Sequence, residues 1–358
     1  MSLQNSPDRP ISVHDLEEFC CDVLRRVGVS ETDARATADV LVTTDTCGVF
    51  THGTKNLRGY VRRLQAGGLR ARAKPRIVAE GPAWAMIDGD SGLGMVTSTF
   101  AMRVAMEKAK LTGVGYVGVR NSCHFGAAGF YAALAARENL IGIAVANDIP
   151  SVTAPGARGP VLGSNPLAFA VPTGDDRPIL MDMATSTVAG GKVFAAAALN
   201  QKIPAGWVVD AAGKPTTDPS LFPHTATLTP MAGHKGYGLA LLIETLSAIV
   251  TGAAMTHQVL SWSFDDPARA TNHGAAFIAI DVGAMMSLKE FHARVAHLVR
   301  EIRSTPRAQD CERVFIPGEM EWERRAQALV SGIELPPDVL ASLRGLSELG
   351  FKSLLFGA

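Results

Sequence analysis

Between Val114 and Asn147 two short, unbroken apolar runs flank a polar turn and a helix-forming segment, and this order leaves the chain few ways to fold. Val114–Val119 predicts a buried strand. Asn121-Ser-Cys-His-Phe-Gly126 predicts a turn, Ala127–Asn139 a helix, and Leu140–Ala146 a second buried strand. Strand, turn, helix, strand is a βαβ unit, and a helical crossover makes its two strands run in parallel. Strands covered on both faces are continuously apolar, as these are. In such sheets ligands collect at the carboxyl ends of the strands. His124 sits there after the first strand and Asp148 just after the second. On its own, His124 could equally be a helix-entry residue satisfied by nearby backbone. Its company argues for more: a second histidine lies in a polar turn at Thr51-His52-Gly53, and a glycine-rich turn with a lysine spans Gly233–Gly238.

The flanking chain is helical at both ends. Ser12 predicts an N-cap, followed by Leu16, Phe19, Cys20, Val23, Leu24 and Val27 at helical spacing, with Gly28 as the stop. A second helix opens at Ser30, and a third lies around Tyr60–Leu64. Arg76–Asp88 predicts two strands turning at Gly81-Pro82, and Val96–Lys110 a helix. Leu167–Val171, Ile179–Asp182 and Ala275–Ile280 predict further strands, and Leu239–Val250 a buried helix. Ser287 and Glu290 suggest a capping box, whose helix puts Leu288, Phe291, Val295, Leu298, Val299 and Ile302 on one face. Trp322–Val330 and Pro337–Leu349 are again helical. The pattern predicts one discontinuous helical domain, residues 1–75 with 286–358, around an α/β core of residues 76–285.

Composition removes several classes. With 34 basic and 34 acidic residues in 358 and no basic block, nucleic acid is not expected as a partner. The polar start is unlike a signal peptide, and the most apolar segment, Leu239–Met255, is too short and interrupted for a bilayer. The five cysteines, two of them adjacent and none in a Cys-x-x-Cys, fit a reducing cytoplasm better than a disulfide framework. No metal-ligand spacing is present, so no catalytic metal is expected.

Some motifs mislead. Gly113-Val-Gly115-Tyr-Val-Gly118 matches the dinucleotide fingerprint literally, but its glycines follow a helix and lie inside a strand, the reverse of what that motif needs. Gly89-Asp-Ser-Gly92 is like a serine-hydrolase segment without the partners of a triad, and a turn suffices. Gly233-His-Lys-Gly-Tyr-Gly238 carries more: glycines let the backbone approach a ligand, Lys235 brings a cation, and a helix N-terminus follows. Asp182, at a strand end, can orient a histidine, hold a ribose hydroxyl or cap the next segment. Two loop histidines and an aspartate can form a proton-transfer set.

Taken together, Thr51-His-Gly53, Asn121–Gly126, Gly163–Ala170, Asp182–Ser186, Ile203–Trp207 with Pro215–Pro219, and Gly233–Leu239 resemble the malate/L-lactate dehydrogenase family of the non-Rossmann type. That family also holds ureidoglycolate, sulfolactate and diketogulonate dehydrogenases and cyclic-imine reductases. The resemblance implies a non-Rossmann NAD(P)-binding core with a large mixed sheet, a nicotinamide cofactor, and hydride transfer between it and a 2-hydroxy/2-oxo acid. It implies acid–base roles for His52 and His124, unranked, with Thr51 beside the first and Asp182 as charge-relay or cofactor-contact residue. It assigns cofactor contacts to Asp148, Asp182, Met183, Ala184 and Lys235, and more loosely to Thr271 and Asn272. It also implies a homodimer.

The departures concern substrate. Cys47 and Asn56 stand where the family commonly has arginines, the second of which would clamp a substrate carboxylate through two hydrogen bonds. Asn56 itself, Lys55 or Arg58 are then the candidates for that contact. Asp148 stands where serine is frequent; a carboxylate suits a ribose hydroxyl better than a phosphate and tilts the expectation from NADP toward NAD. The rival readings are a reductase of pyrroline- or piperideine-carboxylates, a nucleotide-binding protein without turnover, and a metal-free hydrolase or lyase using His124.

Overall fold

A computed structural model describes residues 10–351. The opening residues, Met1–Arg9, for which no signal peptide is expected, lie outside that range. The centre is a seven-stranded mixed sheet ordered β1-β2-β3-β10-β4-β5-β6. Its strands are β1 (Arg76–Gly81), β2 (Trp84–Asp88), β3 (Val114–Ser122), β4 (Leu140–Ala146), β5 (Leu167–Val171), β6 (Ile179–Met183) and β10 (His273–Asp281). Only β2 and β3 pair in parallel, with α4 (Gly94–Thr112) as their crossover; the other pairs are antiparallel.

The βαβ unit predicted around His124 is therefore present but split. β3, α5 (Ala128–Arg137) and β4 follow in order, and β3 and β4 do point the same way. They are not neighbours. β10, about 130 residues downstream, runs antiparallel between them and pairs with both. Ala276, Phe277 and Ala279 of β10 are fully buried, which is what a central strand covered on both faces demands. The misleading glycines serve packing. Gly113 ends α4 at a left-handed φ of 88°, and a Cβ on Gly115 would lie 2.1 Å from the Ala105 carbonyl oxygen of α4.

Helices from both ends of the chain pack together beside the sheet. α1 (Val13–Arg26), α2 (Glu31–Thr46) and α3 (Leu57–Ala66) meet α9 (Glu319–Ser331) and α10 (Pro337–Arg344), and Ile11 bridges to Ile333. Their apolar faces merge with those of α4, α5 and the sheet into one continuous core. Ser12, Ser30 and Ser287 cap their helices; Ser287 Oγ accepts from the Glu290 amide at 3.2 Å, one half of the expected capping box. A second, small sheet ordered β8-β7-β9, of β7 (Val208–Val209), β8 (Pro215–Thr216) and β9 (Thr227–Leu228), forms with α6 (Gly190–Ala198) a satellite around Val193, Val208 and Leu228.

One helix expectation fails on burial. α7 (His234–Glu244), continued by a π-helical turn at Thr245–Ile249, is not a buried helix. It leaves Leu241, Leu242, Ile249 and Val250 43%, 54%, 59% and 49% exposed, because only one side of it meets the sheet. In α8 (Leu288–Ser304) Val295 is buried, while Leu298 and Ile302 on the same face are exposed. No described helix is long and apolar enough to cross a membrane.

Candidate active site

A cavity of about 840 Å³ opens where the turn after β3, the end of β4 and the end of β6 come together. The turn Thr51–Gly53, α6 and the loop Ser261–Phe264 complete its walls. The volume lies toward the upper end of the roughly 300–1,000 Å³ usual for ligand sites.

His52 and His124, 72 positions apart in the chain, meet in this cavity with ring centroids 5.6 Å apart. Each ring is anchored through Nδ1. Thr51 Oγ1 lies 2.9 Å from His52 Nδ1, and the Tyr60 hydroxyl 2.6 Å from His124 Nδ1. Neither Nε2 has a partner among the described residues, and neither is a buried orphan, so both open to the cavity. Trp262 stacks on His124 at 4.6 Å and on Tyr60 at 5.2 Å. The Gly126 amide also reaches Nδ1, at 3.4 Å; the Tyr60 oxygen can donate to a bare Nδ1 or accept from Nδ1–H, and only the second arrangement leaves Nε2 bare to take a proton.

Burial sets the electrostatics. It pushes the His124 imidazole down to about 3; the neighbouring His52 adds to this, Asp148 opposes it, and His273 adds a little more. Burial likewise lowers His52, against the pull of Asp182 and Asp148. Both imidazoles are thus neutral at neutral pH, the form that can accept a proton.

Asp182 ends β6 and sits at the first turn of α5, where its Oδ2 accepts from the Gly129 amide at 2.7 Å. Of the alternatives open from sequence it takes a capping one, but for α5 rather than for the segment that follows it. It bonds to neither histidine among the described residues. Burial raises its carboxyl, the Gly129 amide and His52 lower it, and Glu321 raises it. The carboxylate is ringed by protein yet exposed to solvent through the cleft, which weakens this upward push. Asp148 is half-buried, which alone would raise it. The His273 hydrogen bond at 3.4 Å, the charges of His273 and His124, and the Ile149 amide at 2.8 Å outweigh that and hold it below the usual carboxylate range. Beneath the Thr51–Gly53 turn lies Asp45, whose Oδ2 accepts from the Thr54 amide at 3.1 Å and from its hydroxyl at 2.5 Å. Burial still carries Asp45 up to about 7.

Of the residues singled out from sequence, Thr51, His52, His124, Asp148, Asp182, Met183 and Ala184 line the cavity. The others do not. Asn56 is buried and donates to the Thr51 carbonyl at 3.0 Å, bracing the His52 turn. Lys55 pairs with Asp338 at 2.7 Å and Arg58 with Glu348, tying that turn to α10 and the segment after it. Lys235 is exposed at the start of α7, away from the lining. Thr271 Oγ1 donates to the Ser122 carbonyl at 3.2 Å, and Asn272 Oδ1 accepts from the Asn121 amide at 2.8 Å, so that loop buttresses the His124 turn from behind. Tyr60, Trp262 and His273 were not singled out from sequence. The only hint was Tyr60 on a predicted helix; Trp262 and His273 lie in or beside an irregular stretch without periodicity.

Comparison with known proteins identifies the family. A family model described as malate/L-lactate dehydrogenase matches residues 11–344. The chain is 41% identical over 337 residues to an L-sulfolactate dehydrogenase of Methanocaldococcus jannaschii, covering 94% of this chain and 96% of that one. It is 38% identical over 340 residues to a malate dehydrogenase of Pyrococcus horikoshii, covering 93% of each. A solved structure of the M. jannaschii sulfolactate dehydrogenase superposes with a TM-score of 0.88 at 38% identity, over 96% of this chain and 98% of that one. A reductase of Δ1-pyrroline- and Δ1-piperideine-2-carboxylate from Pseudomonas putida is also similar, at 32% identity over 335 residues, covering 94% of this chain and 95% of the other. The family match spans residues 11–344, and the chain belongs to the malate/L-lactate dehydrogenase family.

Proposed function

We propose that this protein is a nicotinamide-dependent oxidoreductase that exchanges hydride between NAD(P)H and a 2-hydroxy/2-oxo acid, with His124 as its acid–base group. The observation that carries the assignment is the His124 ring, pinned at Nδ1 by Tyr60, covered by Trp262 and open at Nε2 to the cavity. When bound, the cofactor supplies or takes the hydride. His124 Nε2 takes the hydroxyl proton of the substrate during oxidation and returns it during reduction. The imidazolium formed lies over the Trp262 face, which favours a cation. His52, held by Thr51, is the second polar contact for the reacting oxygen.

The wall chemistry fits a dinucleotide. α6 starts at Gly190 with no side-chain cap, and Gly190 and Gly191 both line the cavity. A Cβ on Gly191 would come within 3.2 Å of Thr51 Cγ2, so the glycine keeps open a cradle at a helix N-terminus suited to a phosphate. Asp148 and Asp182 suit ribose hydroxyls. Among the described lining residues Arg137 is the one arginine or lysine, against Asp148, Asp182 and Glu321. That balance favours NAD over NADP, whose additional phosphate would bring more negative charge.

The same shortage of cations favours, as a second reading, a substrate other than a dicarboxylate. Cys47 on the cavity wall and Asn56 behind it supply no guanidinium, and a cyclic imino acid is one such substrate. Purified protein mixed with NADH or NADPH and a panel of 2-oxo acids and cyclic imines decides between them. Loss of reduced nicotinamide with a 2-oxo acid is expected. Loss with cyclic imines alone would move the assignment to the imine reductase, and no loss with either cofactor would leave a binding protein.

The apolar side chains exposed along α7 support a homodimer through that helix, as a pair of glutamates there would test. Leu242→Glu with Ile249→Glu is expected to halve the mass seen by light scattering, from twice the 37.7 kDa chain to once. An unchanged mass would remove α7 from the interface.

A further inference from the structure

Arg63 is among the largest fully buried side chains, and no carboxylate pairs with it among the described residues. Its guanidinium is satisfied by backbone carbonyls alone. It donates to Trp262 O at 2.6 Å, Ser261 O at 2.6 Å, Arg269 O at 2.7 Å and Asp265 O at 3.4 Å. All four belong to one irregular segment, residues 261–269, most of which is exposed. Two glycines on the same side fit that segment too. A Cβ on Gly59 would lie 2.8 Å from the Trp262 ring, and one on Gly68 would lie 2.1 Å from the Pro267 carbonyl oxygen. One turn before Arg63, Tyr60 carries the hydroxyl that holds His124.

We propose that Arg63 is a positioning residue: its buried guanidinium seats the 261–269 loop on α3, and through Trp262 that loop fixes the His124 ring and closes one wall of the site. The planar, five-donor fork is what allows one side chain to meet carbonyls arriving from several directions; an ammonium has three donors and no plane. A buried charge without partners is unfavourable, so guanidinium and loop hold each other in place. The inference rests on His124 being the acid–base group.

The test compares wild type with Arg63→Met and Arg63→Lys, each checked for folding by circular dichroism. Trypsin cleavage after Arg269 reads the loop directly and needs no substrate. In Arg63→Met cleavage is expected to be roughly tenfold faster or more, as for a segment released from its anchor. With NADH and the 2-oxo acid turned over by wild type, kcat is expected to fall about 100-fold, as for a misplaced reacting group, while KM for NADH stays nearly constant. The acid limb of the oxidation profile should move upward as water reaches His124, whose facing groups are Tyr60 from α3, His52 from its turn, and Asp148 and His273 from the strand ends. Arg63→Lys should fall between the two. A folded Arg63→Met with unchanged cleavage and turnover overturns the proposal. Should Arg63→Met not fold, Trp262→Ala keeps the clamp and removes the stack: turnover should drop without faster cleavage, and unchanged turnover overturns it. If wild type consumes no reduced nicotinamide, the functional assignment falls and the cleavage rates alone decide this one.

Discussion

Replacing His124 with alanine is expected to lower kcat by about 10²–10⁴-fold, the range usual for losing a positioned acid–base group. The side chain has no structural substitute in the site. Its Nδ1 is taken up by Tyr60 and the Gly126 amide, so only Nε2 faces the cavity, and removing the ring leaves that place to water. Cofactor binding should survive, since Asp148, Asp182 and the start of α6 are untouched. His52→Ala should cost less, because Thr51 and His52 form an edge of the site, whereas His124 is covered by Trp262. The pH dependence follows from the depressed imidazole. With His124 down to about 3, the neutral ring that oxidation needs is present throughout the neutral range. Reduction needs the imidazolium, so its rate should climb as the pH falls from 8 toward about 5 with no plateau near the ordinary histidine value of about 6.5. Steady-state rates in both directions check this. His124→Ala and His52→Ala both near wild type would remove the histidines from the chemistry.

Gly94→Ala is expected to destabilise the fold by about 3 kcal/mol or more, as overpacking against backbone does. Gly94 opens α4 directly against the turn that carries His124. A Cβ there would lie 2.4 Å from the Cys123 carbonyl oxygen and 2.4 Å from that of His124. Both neighbours are backbone, and neither can swing away as a side chain could. The turn is also tied down from behind by Thr271 and Asn272, so the shift is passed to the His124 ring. A displacement of about 1 Å can cost about 10²-fold in rate, so the surviving folded fraction should be slow as well as unstable. The midpoint of urea unfolding and kcat of the folded protein read the two effects separately. A midpoint and rate like those of wild type would mean that the helix start and the turn are not in contact.

What was legible in the sequence was local. The unit β3-α5-β4 could be located because its apolar runs, turn and helix are consecutive, and His124 falls in its turn for the same reason. The insertion of β10 between the two strands could not be seen, since nothing in a short apolar run records its partner. Residue types suited to the chemistry were found at Thr51, His52, Asp148 and Asp182, whereas the contacts that set their states were not. Tyr60 lies 64 positions from His124, and Asp182 meets the Gly129 amide 53 positions away. The charged candidates Lys55, Arg58 and Lys235 show the opposite failure. They are the right kind of residue near the right motif, but their side chains serve ion pairs at the C-terminal helices or face solvent. The apolar run Leu239–Val250 also overstated burial in α7, because an apolar face can stay uncovered by the rest of its own chain.

The most direct measurement is the transfer of label from nicotinamide to product. Protein is incubated with NADH carrying deuterium at both C4 positions, together with the panel of 2-oxo acids, and the hydroxy acids formed are examined by mass spectrometry. Direct hydride transfer predicts one deuterium at C2 of the product with wild type, and its near absence with His124→Ala. No labelled hydroxy acid from any 2-oxo acid, with either NADH or NADPH, would contradict the proposed activity.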